Sequence, residues 1–227
     1  RAADLVFVLE TDEILHSEEP DRLWHPASLT KLMTAYLVFQ ELATRRMTLD
    51  QELTVSQAAA AQPPTALGLA AGRKITVETA LNAMLLISGN DAAVVLAEAV
   101  AGSEAVFAER MTATARRLGM DSTVFRNAGD WRGNINGPLN AVAGADGLKT
   151  GFTCKSGYNL IISLLRDGKR VVAVILGERA PELRRAKAVA LVDVAYAALD
   201  AEAHETGGLL EPLAASFGPA PAVLDPN

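Results

Sequence analysis

Strand-forming runs stand at the two ends of this sequence, and the stretch between them is patterned mainly for helices. Leu5-Val6-Phe7-Val8-Leu9 and Glu13-Ile14-Leu15-His16 flank Glu10-Thr11-Asp12 and read as a hairpin of two short strands. Far downstream, the β-branched and apolar runs 158–165 and 170–176 are separated around Asp167-Gly168, a strong two-residue hairpin signal. An isolated hairpin is only marginally stable in water, so the two ends are expected to share one antiparallel sheet. The predicted fold class is therefore α+β, with a sheet built from N- and C-terminal strands and packed with a helical cluster.

The helices follow from spacing and caps. From Leu29 the apolar residues Leu32, Met33, Tyr36, Leu37, Phe39 and Leu42 recur at intervals of three and four, which predicts a helix burying that face, entered after Pro26 and carrying Ser28 in its first turn. Gln62-Pro63-Pro64 breaks the chain. Thr76 caps a helix running to about Ile87, Ser88-Gly89-Asn90 interrupts it, 91–101 resumes, and 103–118 forms another that Gly119 ends. Residues 127–147 are crowded with Asn, Gly, Asp and Pro and read as a long irregular loop. Beyond the strands, 182–199 reads as an amphipathic helix. The expected organisation is one domain over residues 1–204 and an irregular tail over 205–227.

Composition narrows the chemistry. Of 227 residues half are hydrophobic, enough for a sizeable core, and a net charge of −6 argues against a phosphate backbone as the main partner. The single cysteine, Cys154, rules out an internal disulfide or a cysteine metal cluster, and the three histidines are scattered. No apolar run approaches the roughly 20 residues of a membrane-spanning helix. The chain starts at Arg1 without Met, so an export signal is neither visible nor excluded. What remains is serine, threonine, lysine and carboxylate chemistry, with no metal or cofactor expected.

Three short motifs supply it: Ser28-Leu29-Thr30-Lys31, Ser88-Gly89-Asn90 and Lys149-Thr150-Gly151. Each is weak alone, but with 9 Ser, 6 Lys, 8 Asn, 15 Thr and 17 Gly in the chain, their joint chance expectation is about 0.002. Residues three apart on a helix share a face, so Lys31 can reach Ser28. A serine hydroxyl becomes a nucleophile when a neighbouring base takes its proton, and lysine can be that base if burial or a second positive charge, such as Lys149, favours the neutral amine. Taken one by one, the motifs also read as a first-turn serine, a solvated lysine, a capped helix break and a turn before a strand. A strand edge at Lys149–Gly151 would instead suit an extended peptide, with Gly151 allowing close approach. Cys154, three residues past Gly151, reads as a small buried residue in or before a strand rather than as a reactive thiol.

In this order, and within Pro26-Ala27-Ser28-Leu29-Thr30-Lys31-Leu32-Met33-Thr34, Ile87-Ser88-Gly89-Asn90-Asp91-Ala92-Ala93 and Asp146-Gly147-Leu148-Lys149-Thr150-Gly151, the motifs resemble those of the low-molecular-mass D-alanyl-D-alanine carboxypeptidases, within the serine β-lactamase and penicillin-binding superfamily. The resemblance runs from about Leu5 to Ala195 and implies a β-lactamase/transpeptidase-like fold. It further implies an exported serine D,D-carboxypeptidase that cleaves the terminal D-Ala of peptidoglycan stem peptides through an acyl-enzyme and is inhibited by β-lactams. By position, Ser28 would be the nucleophile, Lys31 its base and Ser88 a proton relay. Asn90 would contact the substrate amide, and Lys149, Thr150 and Gly151 the substrate. Backbone N–H groups of Ser28 and Phe152 would form the oxyanion hole, and Arg184 would face the substrate carboxylate.

Two departures from the family stand out. The link from Asn127-Ala128-Gly129-Asp130-Trp131 to Lys149 is short, either a natural deletion or pieces joined across a missing stretch. The residues after the last helix leave no room for the β-rich second domain and amphipathic anchor of many relatives. Two other readings are a β-lactamase-like hydrolase, against which stands the absence of any Glu between Glu109 and Glu178, and a non-catalytic cell-wall peptide-binding module.

Overall fold

A computed structural model describes residues 2–129, 145–166 and 168–202. The described residues fall into two compact units, one holding those up to Pro26, those of 145–150 and those from Cys154 onward, the other those of 27–129 with Gly151–Thr153.

In the first unit both chain ends meet in a five-stranded sheet. Strands β1 (Ala3–Val8), β2 (Ile14–Glu18), β5 (Ala145–Thr153), β6 (Gly157–Arg166) and β7 (Lys169–Glu178) lie in the order β2-β1-β7-β6-β5. Pairings β1·β2, β1·β7 and β6·β7 are antiparallel, as the strand runs predicted. The β6–β7 hairpin closes on the pair Arg166↔Lys169, with Gly168 at φ +78°, a conformation glycine adopts freely; Asp167 is outside the described residues. Alternation along the strands sends Val6, Val8, Leu160, Ile162, Leu164, Val171, Ala173 and Ile175 into a core shared with Ala188, Leu191, Val192, Ala195, Tyr196 and Leu199 of helix α6 (Pro181–Glu202). At the start of that helix Lys187 pairs with the buried Asp4 and with Glu178.

A polar brace organises one end of this sheet. Asn159 is fully buried in β6; its Nδ2 donates to the carbonyls of His25 (2.9 Å) and Pro26 (3.2 Å), and its Oδ1 accepts from Gly177 N (2.9 Å). Trp24 completes it, donating Nε1 to Ser156 O at 2.8 Å and lying against Gly177, where a Cβ would fall 2.1 Å from Cζ2 of the indole.

The second unit is helical: α1 (Thr30–Ala43), α2 (Gln57–Ala60), α3 (Val77–Leu86), α4 (Asn90–Ala101) and α5 (Glu104–Arg117). Helix α4 is its axis. Ala92 to Ala97 are all nearly inaccessible, an apolar run without a polar side that only a helix surrounded by others can bury, and α1, α2, α3 and α5 all touch it. Thr76 caps α3 through its side-chain oxygen, as expected, and Ser103 does the same for α5. The sequence reading missed a two-stranded sheet, β3 (Glu52–Thr54) with β4 (Lys74–Thr76), whose three-residue strands are too short to show a period.

Two expectations need correction. The buried face of α1 is not the one predicted, since Tyr36 and Phe39 are exposed while Lys31, Thr34 and Glu41 are buried along one stripe with Met33, Leu37 and Val38. Those three polar side chains are inside because each has partners, which hydrophobic spacing does not reveal. The 127–147 loop is overtaken at its end, where Ala145, Asp146 and Gly147 already belong to β5. Residues 130–144, with Trp131 and the shortened link, and the tail from 205 lie outside the described residues.

Two outcomes follow for stability. Gly177→Ala forces its methyl into Trp24 at φ +86° and is expected to destabilise the protein by about 2–4 kcal/mol in urea unfolding, whereas Gly168→Ala, with nothing within 4 Å, costs about 1 kcal/mol. Glu41 accepts hydrogen bonds from Arg46 and Arg110, which outweigh its burial and hold its carboxyl at about 2, below the ordinary 4.5. A depressed carboxyl stabilises the fold above the unfolded value and loses that contribution as pH falls through the folded one, so unfolding free energy should drop between pH 4.5 and 2. Glu41→Gln should flatten that stretch of the pH–stability curve and cost about 2 kcal/mol at neutral pH.

Candidate active site

The first and second motifs converge in the second unit, and local backbone explains how. Ser28 sits in a single 3-10 turn, Ala27–Leu29, that runs directly into α1, and Ala27 takes φ +52° to make the entry. Ser28 is thus just before the helix, one turn from Lys31 rather than inside the first α-helical turn. Both are buried, Lys31 completely. Lys31 Nζ donates to Ser28 Oγ at 3.3 Å and to Asn90 Oδ1 at 2.8 Å.

Asn90 opens α4 after the three-residue link Ile87-Ser88-Gly89, in which Ser88 is buried at φ +63°. A non-glycine residue in that region is held against its own preference by what surrounds it. The Asn90 side chain has one orientation open to it: Nδ2 donates to Pro63 O at 3.0 Å, so Oδ1 must face the lysine.

A third segment closes over the amine. Thr34 Oγ1 donates to Ala128 O at 2.5 Å, and Ala128 N donates to Glu104 Oε1 at 3.0 Å, which fixes Gly129 above Lys31. A Cβ on Gly129 would lie 3.0 Å from Lys31 Nζ and 3.1 Å from Cε, so any side chain there would crowd the amine. Chemically, the cluster sets a fully buried amine within hydrogen-bond reach of one hydroxyl, an arrangement that can let a serine give up a proton as it attacks a carbonyl.

The third motif lies on β5. Lys149 and Thr150 are buried and belong to the first unit, with Lys149 Nζ donating to Thr150 O at 3.0 Å; Gly151 and Phe152 follow on the same strand. Among the described residues β5 forms one edge of its sheet. Arg184, on α6, is only 3% exposed, donates Nη1 to Asn159 O at 3.2 Å and lies over the Tyr158 ring; burial lowers its pKa. Cys154 departs from expectation: it is exposed, in the turn after β5. Sequence reasoning gave no role to Thr34, Asp91, Gly129 or Asn159. Asn159 carried a signal, as a lone amide within an apolar strand run; the other three did not.

Comparison with known proteins gives this geometry a context. Residues 2–130 match the family described as D-alanyl-D-alanine carboxypeptidase. The D-alanyl-D-alanine carboxypeptidase DacF of Bacillus subtilis is 27% identical over 82% of this chain and 60% of its own length, and DacD of Escherichia coli is 31% identical over 74% and 55%. The chain therefore spans a little over half the length of these relatives. A penicillin-binding protein of Listeria monocytogenes, solved in an ampicillin-bound form, superposes with a TM-score of 0.68 at 28% identity, over 84% of this chain and 95% of its own. These matches bear out the α+β, β-lactamase/transpeptidase-like fold. With more than half of its length inside the family match, the chain belongs to the D-alanyl-D-alanine carboxypeptidase family.

Proposed function

We propose that the protein is a serine D,D-carboxypeptidase acting on peptidoglycan stem peptides, exported to where that substrate lies. The observation that carries this reading is Lys31 Nζ, fully buried and held between Ser28 Oγ and Asn90 Oδ1. An amine out of water is penalised for carrying charge, so it is suited to accept the Ser28 proton as Oγ attacks the carbonyl carbon of the penultimate D-Ala. The tetrahedral oxyanion would be held by the backbone N–H groups of Ser28 and Phe152. Collapse breaks the peptide bond, the departing D-Ala nitrogen takes a proton relayed through Ser88, and a Ser28 ester remains until water hydrolyses it.

The other motif residues have roles by family position. Asn90 contacts the substrate amide while steering Lys31; Lys149 and Thr150 bind the terminal carboxylate; Gly151 leaves room for an extended peptide beside the β5 edge. Arg184 adds positive charge for that carboxylate. A β-lactam presents a strained amide to the same serine and stops at the acyl-enzyme; the relative solved in an ampicillin-bound form supports binding of such a drug.

Incubation with a fluorescent penicillin followed by peptide mass spectrometry should place one adduct on Ser28, absent in Ser28→Ala. Lys31→Ala should slow acylation about 10²–10⁴-fold. D-Ala should be released from a peptide ending in D-Ala-D-Ala, with little turnover of a chromogenic cephalosporin; rapid cephalosporin turnover would make the protein a β-lactamase, and no adduct at high drug concentration a binding module.

A further inference from the structure

We propose that Asp91 is a positioning residue for the acylation step, acting through the loop 63–69 to hold Asn90 and thereby Lys31. This rests on the acyl-enzyme reading above. Asp91 is 1% exposed and touches none of the reacting groups in the described hydrogen bonds. Its carboxylate accepts three backbone donors: Oδ1 from Leu67 N at 3.0 Å and Ala92 N at 2.8 Å, and Oδ2 from Leu69 N at 3.1 Å. Two donors two residues apart reach one carboxylate because Gly68 between them turns at φ +76°.

The same loop returns two bonds to Asn90: Thr65 O accepts from Asn90 N at 2.7 Å, and Pro63 O accepts from Nδ2 at 3.0 Å. Neighbouring residues thus tie one loop at both ends, Asn90 at 63–65 and Asp91 at 67–69. Pro63 O decides which way the Asn90 amide points, since it can only accept while the ammonium or amine of Lys31 can donate. Asp91 at the start of α4 is also favourably placed against the helix dipole, so the clamp sits where a negative charge is stabilised. Releasing Leu67 and Leu69 frees Pro63 O to drift, lets the amide rotate, and removes the acceptor that keeps Lys31 Nζ near Ser28 Oγ.

The test is Asp91→Asn, which keeps the shape but turns one acceptor into a donor facing backbone N–H groups. Acylation of Ser28 by the fluorescent penicillin should slow about 10- to 100-fold at full final stoichiometry, with the acid limb of its pH–rate profile moved to higher pH as Lys31 becomes better hydrated. Gly68→Ala, which disturbs the turn from the other side, should slow it similarly, and the double variant should be no slower than the worse single one. Asp91→Glu, retaining the charge, should recover part of the rate. Wild-type rate and pH profile in folded Asp91→Asn, or full additivity in the double variant, would overturn the proposal. Should wild type itself take no label, the acyl-enzyme reading fails. The clamp is then judged by hydrogen exchange, where Leu67 and Leu69 amides must lose protection in Asp91→Asn while the α5 amides keep theirs.

Discussion

Burying a lysine completely is the constraint on which the helical unit is arranged. An amine in that position needs acceptors, and the fold provides two side-chain oxygens, Ser28 Oγ and Asn90 Oδ1, from elements that are remote in sequence. To supply them, the chain accepts left-handed backbone at Ala27 and Ser88 and brings Gly129 close against the amine. The core supports this at little cost. Helix α4 opens with Asn90 and Asp91 and is apolar on all sides from Ala92 to Ala97, so packing holds its course while the polar bonds gather at its first two residues.

The polar stripe of α1 shows how one helix can do several jobs. Lys31, Thr34 and Glu41 point into the unit along one stripe, the first to the Ser28 hydroxyl, the second to the Ala128 carbonyl, the third to a pair of arginines. The contact between Lys31 and Ser28, closure over the amine and attachment of α5 are therefore placed by one rigid rod, and a rotation of α1 about its axis would disturb all three together.

Legibility in the sequence followed the range of the interaction. Strands with clear alternation, the Asp167-Gly168 hairpin and the cap Thr76 are local and readable. So was the Ser28–Lys31 contact, which helix geometry alone predicts. The buried face of α1 was misread because Tyr36 and Phe39 satisfied the hydrophobic period while partners far along the chain drew Lys31 and Glu41 inward. Asp91 and Gly129 left no local trace, since an aspartate beside an asparagine at a helix start reads as ordinary capping and a glycine near a loop as a turn. Cys154 was expected inside because cysteines commonly are, yet its place in the turn after β5 leaves it in solvent.

The loop 63–69 has a consequence for how this protein can vary. Connecting loops usually tolerate insertions, because their backbone groups are satisfied by water that adapts to any length. Here the carbonyls of Pro63 and Thr65 and the amides of Leu67 and Leu69 are each assigned to Asn90 or Asp91, with Gly68 in phase between them. One added residue would put that sequence of donors and acceptors out of step, so this exposed-looking connection is as fixed in length as a turn of helix.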